Sequence, residues 1–189
     1  MTSSKQKRIS LSREGWLELA LETFTDHAKN KFSLDGLLKA MPVGKGSFYH
    51  HFKNRAEFLV ALVDYWDRKE TQNVIFHLDS LPGESTPEER LWELMRIVHE
   101  THRPRRELVI RAMADEIPVI RERLKAVDRK RFETVHELFA EMGFEGKELD
   151  TRTRVFVTTT TFDGQIRHGD PEESLRMLKH RHRWFTREN

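Results

Sequence analysis

The residues best suited to chemistry in this 189-residue chain sit together in one short run, Lys45-Gly46-Ser47-Phe48-Tyr49-His50-His51-Phe52-Lys53. A short helix from about Gly44 to His51 turns Val43, Phe48 and Phe52 inward and leaves Lys45, Gly46, Ser47, Tyr49 and His50 facing outward. That outer face is small, basic and rich in donors. A lysine can donate to guanine acceptors or to phosphate, a serine to either base type, and a tyrosine hydroxyl to phosphate. The chemistry on offer is hydrogen bonding to a nucleic acid.

Rival chemistries lack their residues. Ten histidines invite a metal reading, but His99 with His102 and His180 with His182 are the only close pairs outside the run, and neither belongs to a zinc motif. Val43-Gly44-Lys45-Gly46-Ser47 is too short for a phosphate-cradling loop and does not place Lys directly before Ser or Thr. No Gly-x-Ser-x-Gly elbow occurs, and Asp163 and Glu116 have no acid/base partner in view. The chain is expected to be no enzyme and to need no metal and no cofactor.

The run must be positioned by a preceding helix. Ser33 is a good cap, and Leu34, Leu37, Leu38 and Met41 follow at the i, i+3, i+4, i+7 spacing of a short amphipathic helix. Pro42 ends it, and Gly44 and Gly46 favour a tight reversal. An earlier helix capped by Ser10 or Ser12 carries Trp16, Leu17, Ala20, Leu21 and Phe24 on one face. Two short helices joined by a tight turn, braced by a third, are the pattern of a helix-turn-helix whose second helix enters a DNA major groove.

At this point the sequence resembles the DNA-binding end of the tetracycline-repressor (TetR) family. The resemblance runs from Leu19-Ala20-Leu21-Glu22-Thr23-Phe24 through Ser33-Leu34 to Val43-Gly44-Lys45-Gly46-Ser47-Phe48-Tyr49-His50-His51-Phe52-Lys53-Asn54-Arg55-Ala56-Glu57-Phe58-Leu59, about a quarter of the chain. Pro42 stands where that family usually has the turn glycine, and Ala28 where a glycine usually ends the first helix. Carried over position by position, the resemblance implies that Ser33, Tyr49 and Lys53 position phosphates, while Lys45, Gly46, Ser47 and His50 form the base-facing surface. It further implies a homodimeric transcriptional regulator, a repressor in the first instance, that binds a pseudo-palindromic operator in double-stranded DNA and responds to a small-molecule effector. The alternative is a helical small-molecule-binding or enzymatic protein that keeps the helix-turn-helix as a vestigial scaffold.

Composition suits this reading. Hydrophobic residues at 37%, only six Pro and nine Gly, and few alternating runs favour an all-α chain. Residues 1–55 hold ten Lys or Arg against five Asp or Glu, a charge of +5, so the overall +2 leaves −3 for the remainder. Positive charge thus gathers at the DNA-reading end. There is no Cys, no apolar signal core and no run long enough to span a bilayer, so no membrane partner is expected and a cytoplasmic location is.

The spacing predicts about nine helices: a DNA-binding domain over 1–53 and a helical effector-binding and dimerisation domain over 54–189. Asn54 with Glu57 reads as a capping box opening a long fourth helix, with Phe58, Leu59, Leu62, Val63, Trp66 and Phe76 on its apolar face and its end near Ser80. Leu81 to Pro87 is the clearest break. A fifth helix follows from that break with Leu91, Leu94, Met95, Val98 and His102 on its inner face and Arg103-Pro104 ending it. Helices then follow over about Arg105–Asp115 and from Pro118 to Gly143, then two more after Gly146, the last capped by Asp170 with Glu173. Aromatic and Met-rich positions could line an effector pocket: Trp66, Trp92, Met95, His99 and Met113, with Phe132, His136, Phe139, Thr159 and Phe162. The stripes Val155, Phe156, Thr159, Phe162, Ile166 and Leu175, Leu178, His182, Phe185 suit a four-helix dimer interface, which the family resemblance also implies.

Overall fold

The computed structural model describes residues 11–26, 34–40, 44–101, 104–166 and 170–187. Ala28, Ser33, Pro42 and Val43 lie outside the described residues. Every regular element among those described is helical: α1 (Arg13–Asp26), α2 (Leu34–Ala40), α3 (Lys45–His51), α4 (Arg55–Asp67), α5 (Asn73–Asp79), α6 (Pro87–Thr101), α7 (Pro104–Glu116), α8 (Pro118–Glu141), α9 (Gly146–Ile166) and α10 (Pro171–Thr186). A π-helical turn, Arg68–Gln72, joins α4 to α5 without a break, so the two form one rod and the described residues make nine helical bodies.

Local chemistry sets the ends. Ser12 Oγ accepts from Gly15 N at 3.1 Å and caps α1. Asn54 Oδ1 accepts from Glu57 N at 2.9 Å, and the Glu57 carboxylate reaches back to Lys53 N at 3.0 Å, closing the expected box one residue earlier than its usual form. Thr86 and Glu89 form the same reciprocal pair at the head of α6. Pro118 and Pro171 open α8 and α10 from the first turn. At the end of α8 the chain turns through Gly143 at φ +91, with Phe144 N bonded to Phe139 O, the αL reversal that only glycine adopts without strain. Asp170 takes the cap position of α10, but its side chain makes no capping bond there.

The long rod of 25 residues, roughly 37 Å at 1.5 Å per residue, corresponds to the single fourth helix expected from the sequence. Its apolar face does not. Phe76 is 75% exposed, and Val74 and Leu78 carry the buried face instead. The π turn inserts a residue into the helical register and rotates everything after it, so a stripe extrapolated from Trp66 lands on the wrong side.

Two hydrophobic clusters hold the molecule. The first gathers α1, α2, α3 and α4 around Trp16, Phe48, Phe52 and Phe58, then continues through Val109, Ile110 and Met113 of α7 to Ile120, Leu124 and Val127 of α8. The second joins α5, α6, the distal half of α8, α9 and α10 around Phe139, Phe156 and Phe185. The expected boundary between residues 53 and 54 therefore marks no gap in the core. α4 is buried in the first cluster and α5 in the second, which makes the rod the common wall of both.

α9 and α10 are tied by backbone acceptors. Arg152, 7% exposed, donates Nη1 to Phe185 O at 2.9 Å and Nη2 to Arg187 O at 2.8 Å, while Nε bonds Glu148 at 2.9 Å. Its guanidinium lies 4.0 Å from the centre of the Phe144 ring. One side chain thus satisfies the carbonyls that the end of α10 leaves open.

Candidate nucleic-acid interface and body cavity

The sequence of α3 folds as its periodicity demands. Phe48 and Phe52 are 0% and 1% exposed, and their rings meet Trp16 and Phe58 edge-on at 5.1–6.4 Å. Burial of four aromatic rings in one small head fixes the rotation of a helix only seven residues long, which could not stand alone. What remains outside is Lys45, Gly46, Tyr49 and His50, all exposed, with Lys53 exposed just after the helix. Tyr49 is 54% exposed, its ring edge-on to Phe48 at 5.2 Å, so its hydroxyl reaches solvent from a fixed base. Lys45 Nζ lies 4.0 Å from Asp35 of α2, a loose surface pair that leaves the ammonium available.

Ser47 is placed differently from its neighbours. It is half-buried, and its Oγ accepts the Trp16 indole N–H at 2.8 Å. A hydroxyl that accepts one bond keeps its own proton to give, so Ser47 both seats α3 on α1 and can donate outward. His51, absent from the expected site, bonds Leu11 O at 2.8 Å through Nε2 and holds the segment before α1. Ser33 lies outside the described residues.

The body contains a cavity of about 70 Å³ bounded by the π turn and α5, by α6, by α8 and by α9. Most of its wall is aliphatic: Val74, Leu94, Val98, Val135 and Val157, with Phe156. Glu70, Thr71 and Arg131 form a polar end, and Thr134, Thr160 and Thr161 add hydroxyls. None of the ten residues expected to line a pocket bounds this space. Trp66 and Met113 belong to the first core cluster, the former with Arg131 5.0 Å from its ring centre. Met95 and Phe139 fill the second. Trp92 packs on His182 at 5.4 Å, Phe132 stacks on His136 at 5.9 Å, His99 is half-buried, and Thr159 and Phe162 are exposed. The largest side chains fill volume, whereas the cavity is bounded by the medium-sized ones between them; helical spacing in the sequence carries no sign of that difference.

Around the polar end runs a chain of ion pairs. Arg131 donates Nε to Thr71 Oγ1 at 2.9 Å and Nη1 to the buried Glu107 at 3.0 Å, and Arg111 also holds Glu107 at 2.7 Å. Arg106, 5% exposed, faces three carboxylates: it pairs with Glu18 of α1, approaches Glu22 of α1 at 3.5 Å and stands 3.8 Å from Glu70 of the π turn. Tyr65 donates to the other Glu18 oxygen at 2.7 Å, and burial together with that bond pushes its phenol up to about 12. Helical spacing gives no sign of this network, because apart from the Glu107–Arg111 pair its partners are 24 to 88 residues apart.

The stripes expected at a dimer interface divide. Phe156, Leu178 and Phe185 are 1–3% exposed within the second core, and His182 bonds Glu88 O at 2.8 Å, so these four serve the monomer. The side chain of Ile166 lies outside the described residues. The apolar residues that α9 and α10 leave outside are Val155, Phe162, Leu175, Met177 and Trp184, 36–55% exposed. Met177 and Trp184 were not expected there. Among the described residues there is no group of three or more His, Asp or Glu placed to hold a metal ion, and no helix is long and apolar enough to cross a membrane.

Comparison with known proteins now bears on the head and the body separately. Residues 17–62 match the family model of bacterial regulatory proteins, tetR family. The transcriptional regulator AcuR of Cereibacter sphaeroides is 40% identical over 58 residues, 31% of this chain and 26% of that one, so the match spans about a quarter of that regulator. The body is recognised by shape. A transcriptional regulator from Rhodococcus sp. Rha1 superposes with a TM-score of 0.68 at 16% identity over 93% of this chain and 94% of that one. Reduced NemR of E. coli does so with a TM-score of 0.68 at 18% identity over 92% and 94%. Residues 17–62 thus carry a helix-turn-helix of the tetR type, and the chain as a whole shares the all-helical fold of these solved regulators.

Proposed function

We propose that the protein is a homodimeric repressor that binds a pseudo-palindromic operator through two copies of α3 and releases it when a small molecule enters the body cavity. The observation that carries the DNA reading is the α3 face itself, where Lys45, Tyr49 and His50 stand exposed on a sealed aromatic base. Lys45, Gly46, Ser47 and His50 meet base edges, and Tyr49, Lys53 and Ser33 meet phosphates. Two-fold symmetry requires half-sites about 34–36 Å apart or a multiple of that. The DNA-binding unit is residues 1–53 and the regulatory body 54–189, with the rod shared between them. The effector is small, apolar along most of its length, and carries a hydrogen-bonding group for the Thr71 and Arg131 end.

The experiment is a salt titration of binding to DNA flanking the protein's own gene, with Tyr49→Ala and Lys45→Ala alongside. The expected result is tight binding that weakens linearly in log salt, by about −0.9 for each phosphate neutralised. Tyr49→Ala weakens all sequences alike, while Lys45→Ala loses about 1–3 kcal/mol on the operator and relaxes preference at one position. Binding no tighter than to random DNA across that flank, with Tyr49 immaterial, would count against the reading.

A further inference from the structure

We infer that Glu70 and Arg106 are the coupling pair through which the state of the body cavity reaches the DNA-reading head; this rests on the regulator reading above. Among the described residues Glu70 is the one acidic side chain bounding the cavity, and it belongs to the π turn. Across from it, Arg106 of α7 is almost fully buried and divides its guanidinium between Glu70 and two carboxylates of α1, Glu18 and Glu22. Three acceptors compete for one fork of donors. A shift of any one carboxylate redistributes the cation among the others, because a buried charge cannot be left partly paired without a large desolvation cost.

The geometry gives an occupant a direct grip on this pair. Thr71 and Val74 bound the cavity from the π turn and the first turn of α5, so a molecule seated there presses on the segment whose hydrogen-bond register is already irregular. π turns are the points at which a helix can change register locally. Moving that turn carries Glu70 relative to Arg106. Drawing Arg106 toward or away from Glu70 alters its hold on Glu18, and Glu18 lies two residues beyond Trp16, the residue that seats α3 through Ser47. The route from cavity to recognition helix therefore runs through named contacts on α7 and α1, beside the rod. Arg106 does not bound the cavity and, at 5% exposure, presents almost no surface of its own, so it is a positioning residue.

Because the effector is unidentified, the test fills the cavity by mutation. Val98→Phe from α6, or Thr160→Leu from α9 should the first fail to fold, is combined with Glu70→Gln and separately with Arg106→Lys, and operator affinity is measured for each single and double variant of the full chain. Glu70→Gln keeps the side chain's shape and removes its charge; Arg106→Lys keeps the charge and removes the fork. Filling is expected to weaken operator binding by about fivefold or more in the native background, the lower end of ordinary allosteric coupling, and by less than about twofold in either variant background. An equal loss in all backgrounds would overturn the pair as the coupling route while leaving the regulator reading intact. No loss on filling in the native background would also overturn it. Absence of operator binding by the native protein would instead strike the regulator reading itself. Melting curves on each variant separate lost coupling from lost folding, since a merely structural role moves stability without moving the filled-to-unfilled ratio.

Discussion

Trp16 and Ser47, 31 residues apart, are joined by an indole N–H donated to Oγ at 2.8 Å, and this bond fixes the face that α3 turns outward. Trp16 is fully buried, so its N–H has no water to fall back on. Ser47→Ala strands that donor and is expected to cost about 1–3 kcal/mol of stability before any DNA is added. Thermal unfolding of the free protein checks this. An unchanged melting temperature, paired with loss of operator preference alone, would assign Ser47 to base reading only.

A pH dependence follows from Glu93 on α6. Bidentate hydrogen bonding from Arg96, at 2.7 and 2.9 Å, outweighs partial burial and lowers its carboxyl to about 2, with His77 of α5 adding a bond at 2.9 Å. A depressed folded-state value means the contribution is complete above the ordinary carboxylate value of about 4.5 and is lost as pH falls toward 2. The melting temperature of the native protein should therefore exceed that of Glu93→Gln at pH 6, and the gap should narrow by pH 3. A gap that is constant across that range would show the pairing to contribute nothing through charge.

The outer faces of α9 and α10 make a prediction about assembly. Trp184→Glu places a charge on a side chain that is 55% exposed in the single chain, so a dimer built on this face should dissociate while the monomer keeps its fold. Phe185→Ala one residue along removes a 3% exposed ring and is expected to cost about 3–5 kcal/mol of stability whatever the oligomeric state. Sedimentation and melting on the two variants separate these effects. A dimer that survives Trp184→Glu would move the interface elsewhere.

The head was legible because its signals are local. Phe48 and Phe52 four residues apart, Asn54 with Glu57, and Ser12 before Arg13 each act within one turn, and each does in the fold what its spacing implies. The body was legible only in outline. Pro118 opens a helix where the sequence put one, and Asp170 stands at the cap position of the last helix as expected. The phase of α5 was lost at Arg68–Gln72, because nothing in the residue types of a π turn announces the extra residue, and Phe76 was put inside. The cavity wall was missed for a related reason: Thr71, Val98 and Thr160 are ordinary helix-face residues until four helices are brought around them. Leu178 and Phe185 share their spacing with a coiled-coil seam, and only three-dimensional packing assigns them to the monomer.

The latch formed by Arg152 bears on how such a protein can diverge. It grips α10 through main-chain oxygens of Phe185 and Arg187, and a carbonyl is the same whatever side chain follows it. The placement of α10 is thereby insulated from most substitutions on its outer surface. Leu175, Met177 and Trp184 can be exchanged for other residues while the helix keeps its seat. In the proposed homodimer, two copies arising from a gene duplication would lose mutual recognition through a few surface changes and each go on folding as before. Self-recognition in that dimer would be written on the outside of a helix whose position is decided from within.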